Sequence, residues 1–101
     1  EIEKKILRAV VRDGLAAGYS VRVHNGEEML PLRTELEDVM SDLFSVDDEH
    51  IWFYKGTNEV YVKYGWVFVV HGNGCDVIGD YSTKLEHIMG NAHEISDKYC
   101  D

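Results

Sequence analysis

Cysteine, proline and positive charge are scarce in this chain, and each scarcity excludes something. Two cysteines in 101 residues, Cys75 and Cys100, are too few for the disulfide framework that staples small secreted domains. One bridge between them is open in an oxidising compartment, but the expectation is two free, mostly buried thiols. The single proline, Pro31, and the lack of any low-complexity tract or internal repeat leave no linker, so residues 1–101 read as one domain. Ten Lys and Arg against nineteen Asp and Glu give a net charge of −9, the opposite of the basic footprint that nucleic-acid binding requires. No apolar run approaches the ~20 residues of a membrane span; the longest, Trp66 to Val70, reads as a buried strand. Glu1-Ile2-Glu3-Lys4 has the character of neither a signal nor a transit peptide, so a soluble cytoplasmic protein is expected.

What is present suffices for a core. A hydrophobic fraction of 45% and an aromatic fraction of 11% exclude a disordered chain. Residues 2–17 have helical periodicity, with Ile2, Ile6, Ala9, Val10, Ala16 and Ala17 on one side, Gly18 as the stop, and Lys4, Arg8 and Arg12 as a basic stripe opposite. Residues 19–24 alternate, Asn25-Gly26 is a strong hairpin turn, and residues 28–32 are the expected return strand, with Pro31 at a sheet edge. Thr34 to Glu37 has the form of a capping box ahead of a helix over 35–44, its apolar stripe being Leu36, Val39, Met40, Leu43 and Phe44. "HIWFYK" and "EVYVKYGWVFVV" predict two strands joined by Gly56-Thr57-Asn58, with Gly65 marking a bulge or a close approach. "CDVIGDY" predicts a further strand. Thr83 to Glu86 predicts a second capping box and a last helix with Leu85, Ile88, Met89, Ala92, Ile95 and Tyr99 inward. The order α-β-β-α-β-β-β-α predicts an α+β domain with a mainly antiparallel sheet of about five strands and three helices.

The segment richest in chemical groups is "HGNGCDVIGDYST", residues 71–83. Gly72-Asn73-Gly74 lacks the third glycine of a dinucleotide loop, because Val77 stands there, and a strand rather than a helix follows. Cys75 with His71 could form a nucleophile and base only in an electropositive setting, which Asp76 opposes. His71 and Cys75 are half a zinc site at best, while His87 and His93 point different ways on a helix. Asp76 and Asp80 read as solvated strand residues. No catalytic residue, metal or cofactor is expected. The aromatics Trp52, Phe53, Tyr54, Tyr61, Tyr64, Trp66 and Phe68 suggest a base-stacking platform only if a positive groove accompanies them. With Lys55 and Lys63 the only nearby cations, they are assigned to core packing.

Charge is distributed unevenly. Residues 1–22 sum to +2, whereas residues 23–50 hold nine acids against Arg33 alone, a net −8. Glu27 and Glu28 on the hairpin tip, Glu35, Asp38 and Asp42 on a helix face, and Asp47, Asp48 and Glu49 in the following loop form the expected partner-binding surface. Such an array can steer onto a basic protein groove. The basic stripe of the first helix offers another outcome, neutralising this surface within the fold or across a homodimer.

"AGYSVRVHNGEE", "SVDDEHIWFY" and "YGWVFVVHGNGCDVIGDYSTKLEHIM" resemble small proteins carried by tailed phages and prophages of proteobacteria. The shared motifs, over about residues 17–98, are those of turns and strands. The resemblance implies a phage or mobile-element setting and transfers no catalytic residue. With the charge map, it implies a non-enzymatic protein that binds a host protein with a basic surface, such as a defence or nucleic-acid-binding factor. No direct nucleic acid or membrane is expected as partner. The alternative is a small assembly protein acting as a homodimer.

Overall fold

The computed structural model describes residues 1–57 and 60–100. Its architecture is α+β: one four-stranded antiparallel sheet in the order β1-β2-β3-β4, with the helices packed on one face. Helix α1 spans Ile2–Ala16, β1 Ser20–His24, α2 Leu36–Asp42, β2 Asp48–Thr57, β3 Val60–Val70, β4 Ile78–Tyr81 and α3 Gly90–Tyr99. Short 3₁₀ segments cover Gly74–Asp76 and Thr83–Ile88. Asn58 of the expected β2–β3 turn, and Glu59 at the expected start of β3, lie outside the described residues.

Period-two alternation decides which side chains enter the core. Val21 and Val23 of β1, Ile51 and Phe53 of β2, and Val67 and Val69 of β3 are fully buried beneath the helices. Helix α1 meets them with Ile6, Leu7, Val10, Val11 and Gly14, a stripe rotated from the expected one, since Ala16 and Ala17 are exposed. Gly14 belongs in that stripe because the Phe53 ring fills the space a Cβ would need. Gly65 works the same way: a Cβ there would lie 2.9 Å from Cγ of the fully buried Leu85, beside a register shift between β2 and β3. Both expected reasons for this glycine therefore apply. Gly65→Ala should destabilise the protein by about 1–3 kcal/mol through overpacking, measurable by urea unfolding. A loss under about 0.5 kcal/mol would mean that Leu85 yields freely.

Three expectations need correction. First, residues 28–32 do not form a fifth strand. They run antiparallel to β1 but pair with it only as the isolated bridges His24↔Met29 and Val21↔Arg33. Three steps along β1 face four along the return segment, and Pro31, which has no N–H to donate, falls within the mismatch. Second, neither capping box forms. No N-cap side chain bonds the start of α2 or of the 3₁₀ segment after β4, and Ser82 Oγ instead accepts the N–H of Trp66 at 3.0 Å. Helix α2 is also shorter than expected, ending before Leu43, and Phe44 takes a left-handed backbone with φ 69°. The single expected last helix is split at Met89, and Gly90 starts α3. Third, Cys75 and Cys100 are not free: they form a disulfide across 25 residues, with Cα atoms 6.1 Å apart.

Candidate functional site

The eight expected acids divide into three groups once the chain is folded. Glu27 and Glu28 lie on the turn after β1, where Asn25 Oδ1 accepts both of their backbone N–H groups and Gly26 supplies a positive φ of 95°. Their side chains are exposed, as are those of Glu35, Asp38, Asp47 and Asp48. Because His24 pairs with His50, the 25–28 turn and the start of β2 at Asp48 share one end of the sheet. Glu27, Glu28, Asp47 and Asp48 are thereby gathered. Helix α2, carrying Glu35 at its N-cap and Asp38 in its first turn, leads into the same end through residues 43–47.

Asp42 belongs to a second group, the internally neutralised acids. It receives a two-pronged contact from Arg33, at 2.9 Å from Nε and 3.1 Å from Nη2. The Asp42 hydrogen bond, joined by the charges of Asp42 and Asp38, holds the Arg33 guanidinium above its ordinary value against the opposing effect of burial. Glu37 is engaged in the same way by Arg8, whose hydrogen bond holds the carboxyl below its usual range. The basic stripe of α1 therefore meets the acidic helix within one chain.

Glu49 is a correction. It is 1% exposed and cannot face a partner. Strand alternation puts it on the core side with Ile51 and Phe53, paired to Val69 of β3. Its carboxylate accepts the N–H of Phe44 at 2.9 Å and the hydroxyl of Ser45 at 3.3 Å, and contacts Nε2 of His71 at 2.5 Å. His71 continues the inward series Val67, Val69 past the end of β3, and its ring packs against Phe44 at 4.4 Å. On its other side Nδ1 lies 3.9 Å from Glu3. Glu3 in turn accepts the N–H groups of Gly72 and Gly74, each at 3.0 Å. The glycine loop does cradle an anion, and that anion is a carboxylate of the same chain. This Glu3–His71–Glu49 cluster, with Glu49 buried and the other two half-buried, clamps α1, the 71–74 turn and the segment before β2 together. Reading each acid by local charge missed it; extending the strand alternation outward by one step on β2 and β3 would have found it.

The remaining groups of the 71–83 segment are dispersed. Cys75 is consumed by its disulfide. Tyr81 donates its hydroxyl to Glu86 at 2.9 Å and stands 3.2 Å from Nε2 of His93. Burial, then the Glu86 hydrogen bond, push its phenol upward, which makes it a held donor and not an activated base. No three or more His, Cys, Asp or Glu side chains are placed to hold a metal ion among the described residues.

The aromatic residues require the last correction. Phe53 is in the core and Tyr54 is buried, but Trp52, Trp66 and Phe68 alternate onto the opposite face of the sheet and are only half buried. That face carries the cross-strand rows Arg22–Trp52–Trp66 and His24–His50–Phe68–Asp80. Lys84, a cation that the sequence did not place near these rings, arrives from the 3₁₀ segment after β4 and lies over Tyr64. No described helix is long and apolar enough to cross a membrane. Comparison of the chain with family models, curated proteins and solved structures finds no match.

Proposed function

We propose that this chain is a non-enzymatic binding protein, encoded by a phage or prophage, that engages a basic surface on a host protein. The observation that carries this reading is the sorting of the acids. Glu37 and Asp42 are paired to arginines and Glu49 is buried, yet Glu27, Glu28, Glu35, Asp38, Asp47 and Asp48 stay exposed and outside every ion pair among the described residues. Like charges gathered at one sheet end repel one another, and a complementary basic surface relieves that repulsion while speeding encounter. The competing reading, a homodimer joined by the α1 stripe and the acidic helix of a second copy, finds Arg8 of that stripe already paired to Glu37 inside one chain. The Cys75–Cys100 bond favours an encounter in an oxidising compartment over the reducing cytoplasm expected from sequence.

The test is capture from host lysate with the wild-type protein and with the quadruple variant Glu27→Lys, Glu28→Lys, Asp47→Lys, Asp48→Lys. These side chains are exposed, so the variant should keep its circular dichroism spectrum. A protein retained by the wild type should be lost from the variant, with affinity reduced at least about tenfold and a steep salt dependence. Identical capture by both proteins would refute the acidic surface as the binding site.

A further inference from the structure

The end of the sheet opposite the acids has the reverse character. Strand β2 runs from Asp48 at the acidic end to Thr57, and Lys55 and Lys63 lie in its distal half and in the facing part of β3. Lys63 Nζ sits 4.5 Å from the Trp52 ring centre, Lys55 Nζ 4.4 Å from that of Tyr64, and Lys84 Nζ 5.5 Å from the same ring. None of these three lysines takes part in an ion pair among the described residues; the Lys and Arg pairs there are Arg8–Glu37, Arg12–Asp13 and Arg33–Asp42. An aromatic face attracts a cation but does not neutralise it. Three uncompensated positive charges therefore converge in a protein of net charge −9.

Two of them, Lys63 and Lys84, border a cleft of about 370 Å³ whose wall includes Trp52, Trp66, Tyr64 and the exposed Thr83. That volume suits a small molecule rather than a polymer. We propose that this cleft binds a nucleotide-class ligand, a planar ring carrying phosphate. The aromatic wall, Trp66 above all, offers the ring a stacking surface, since the Trp52 and Tyr64 faces already hold lysines. Lys63 and Lys84 line the cleft and supply the phosphate contacts. Orientation follows from charge: Asp80 occupies the next cross-strand row beyond Trp66, beside Phe68, so the phosphate is directed towards the lysines and the ring towards Trp66. The overall charge of −9 repels long polyanions and restricts the ligand to a monomer. The cleft shares no residue with the acidic surface, so either reading can fail alone.

Trp52 and Trp66 are the only tryptophans in the chain, so intrinsic fluorescence reports on this cleft directly. The four ribonucleoside 5′-monophosphates should quench it saturably, with confirmation by calorimetry. The exposed-residue variant Lys63→Glu, Lys84→Glu should weaken binding at least about tenfold, the loss of one or two charge-assisted contacts. Uncharged nucleosides and inorganic phosphate should each bind more weakly than the nucleotide. Absence of saturable binding up to millimolar nucleotide, binding unchanged in the double variant, or phosphate binding as tight as the nucleotide would each overturn the proposal. Tighter binding of a single-stranded octanucleotide than of the monomers would overturn it in favour of strand binding.

Discussion

Glu49→Ala should lower the unfolding free energy by about 2–4 kcal/mol, the cost of removing a buried acceptor shared by several groups. The size follows from what the carboxylate does. The buried carboxylate accepts the Phe44 N–H and the Ser45 hydroxyl and contacts the His71 ring. Alanine leaves the half-buried Phe44 N–H without its partner, whereas the exposed Ser45 hydroxyl can turn to water. Phe44 also loses the hydrogen bond that holds its left-handed backbone, a conformation costing a bulky residue on the order of 1–3 kcal/mol. Glu49→Gln keeps one acceptor oxygen and should be milder. Urea unfolding of both variants measures this, and a loss below about 1 kcal/mol for alanine would mean that the clamp contributes nothing to stability. Neither Glu27→Ala nor Asp48→Ala, both at exposed positions, should move stability by more than about 0.5 kcal/mol.

Breaking the Cys75–Cys100 bond should have an effect of similar size but a different distribution. Closing 25 residues restricts the unfolded chain by about 3.5 kcal/mol in the loop-entropy picture. For a domain of this length that corresponds to a melting temperature lower by roughly 20 °C. The bond attaches the end of α3 to the 3₁₀ turn before β4, where Ser96 of the same helix also donates its hydroxyl to the Cys75 carbonyl at 3.4 Å. Ala92 is its only fully buried residue, supported by Asn91 Nδ2 donating to Asp13 at 2.8 Å and by Lys5 over the Tyr99 ring at 4.9 Å. Reduction, or Cys75→Ser with Cys100→Ser, should therefore accelerate amide exchange in α3 first, while Val21, Ile51 and Val67 in the sheet stay protected. An unchanged melting temperature under dithiothreitol would show that the bond does not form in solution. Faster exchange in the sheet than in α3 would show that the helix is held by packing alone.

The local elements were largely legible in the linear pattern. The α+β class, the first helix, the β2–β3 pair and the Gly65 close approach follow from periodicity and from glycine's missing side chain, which act over a few residues. The failures share one cause. Thr34, Thr83 and the 28–32 segment carry correct local signals for caps and a strand, but other partners won: Ser82 served Trp66, and Pro31 met a register mismatch against β1. Local propensity is worth tenths of a kcal/mol to about 1 kcal/mol, and tertiary packing overrides it.

For the sites the division is sharper. By itself the sequence determined that carboxylates crowd residues 23–50 and that aromatics crowd residues 52–68, because composition is a property of the linear chain. Only the tertiary structure decided which of them face solvent. It withdrew Glu49 into the core, spent Glu37 and Asp42 on arginines distant in sequence, and turned Trp52 and Trp66 outward beside Lys84. Charge and ring content are additive along a chain. Exposure and pairing depend on contacts between residues up to tens of positions apart, and the order of the letters alone does not state them.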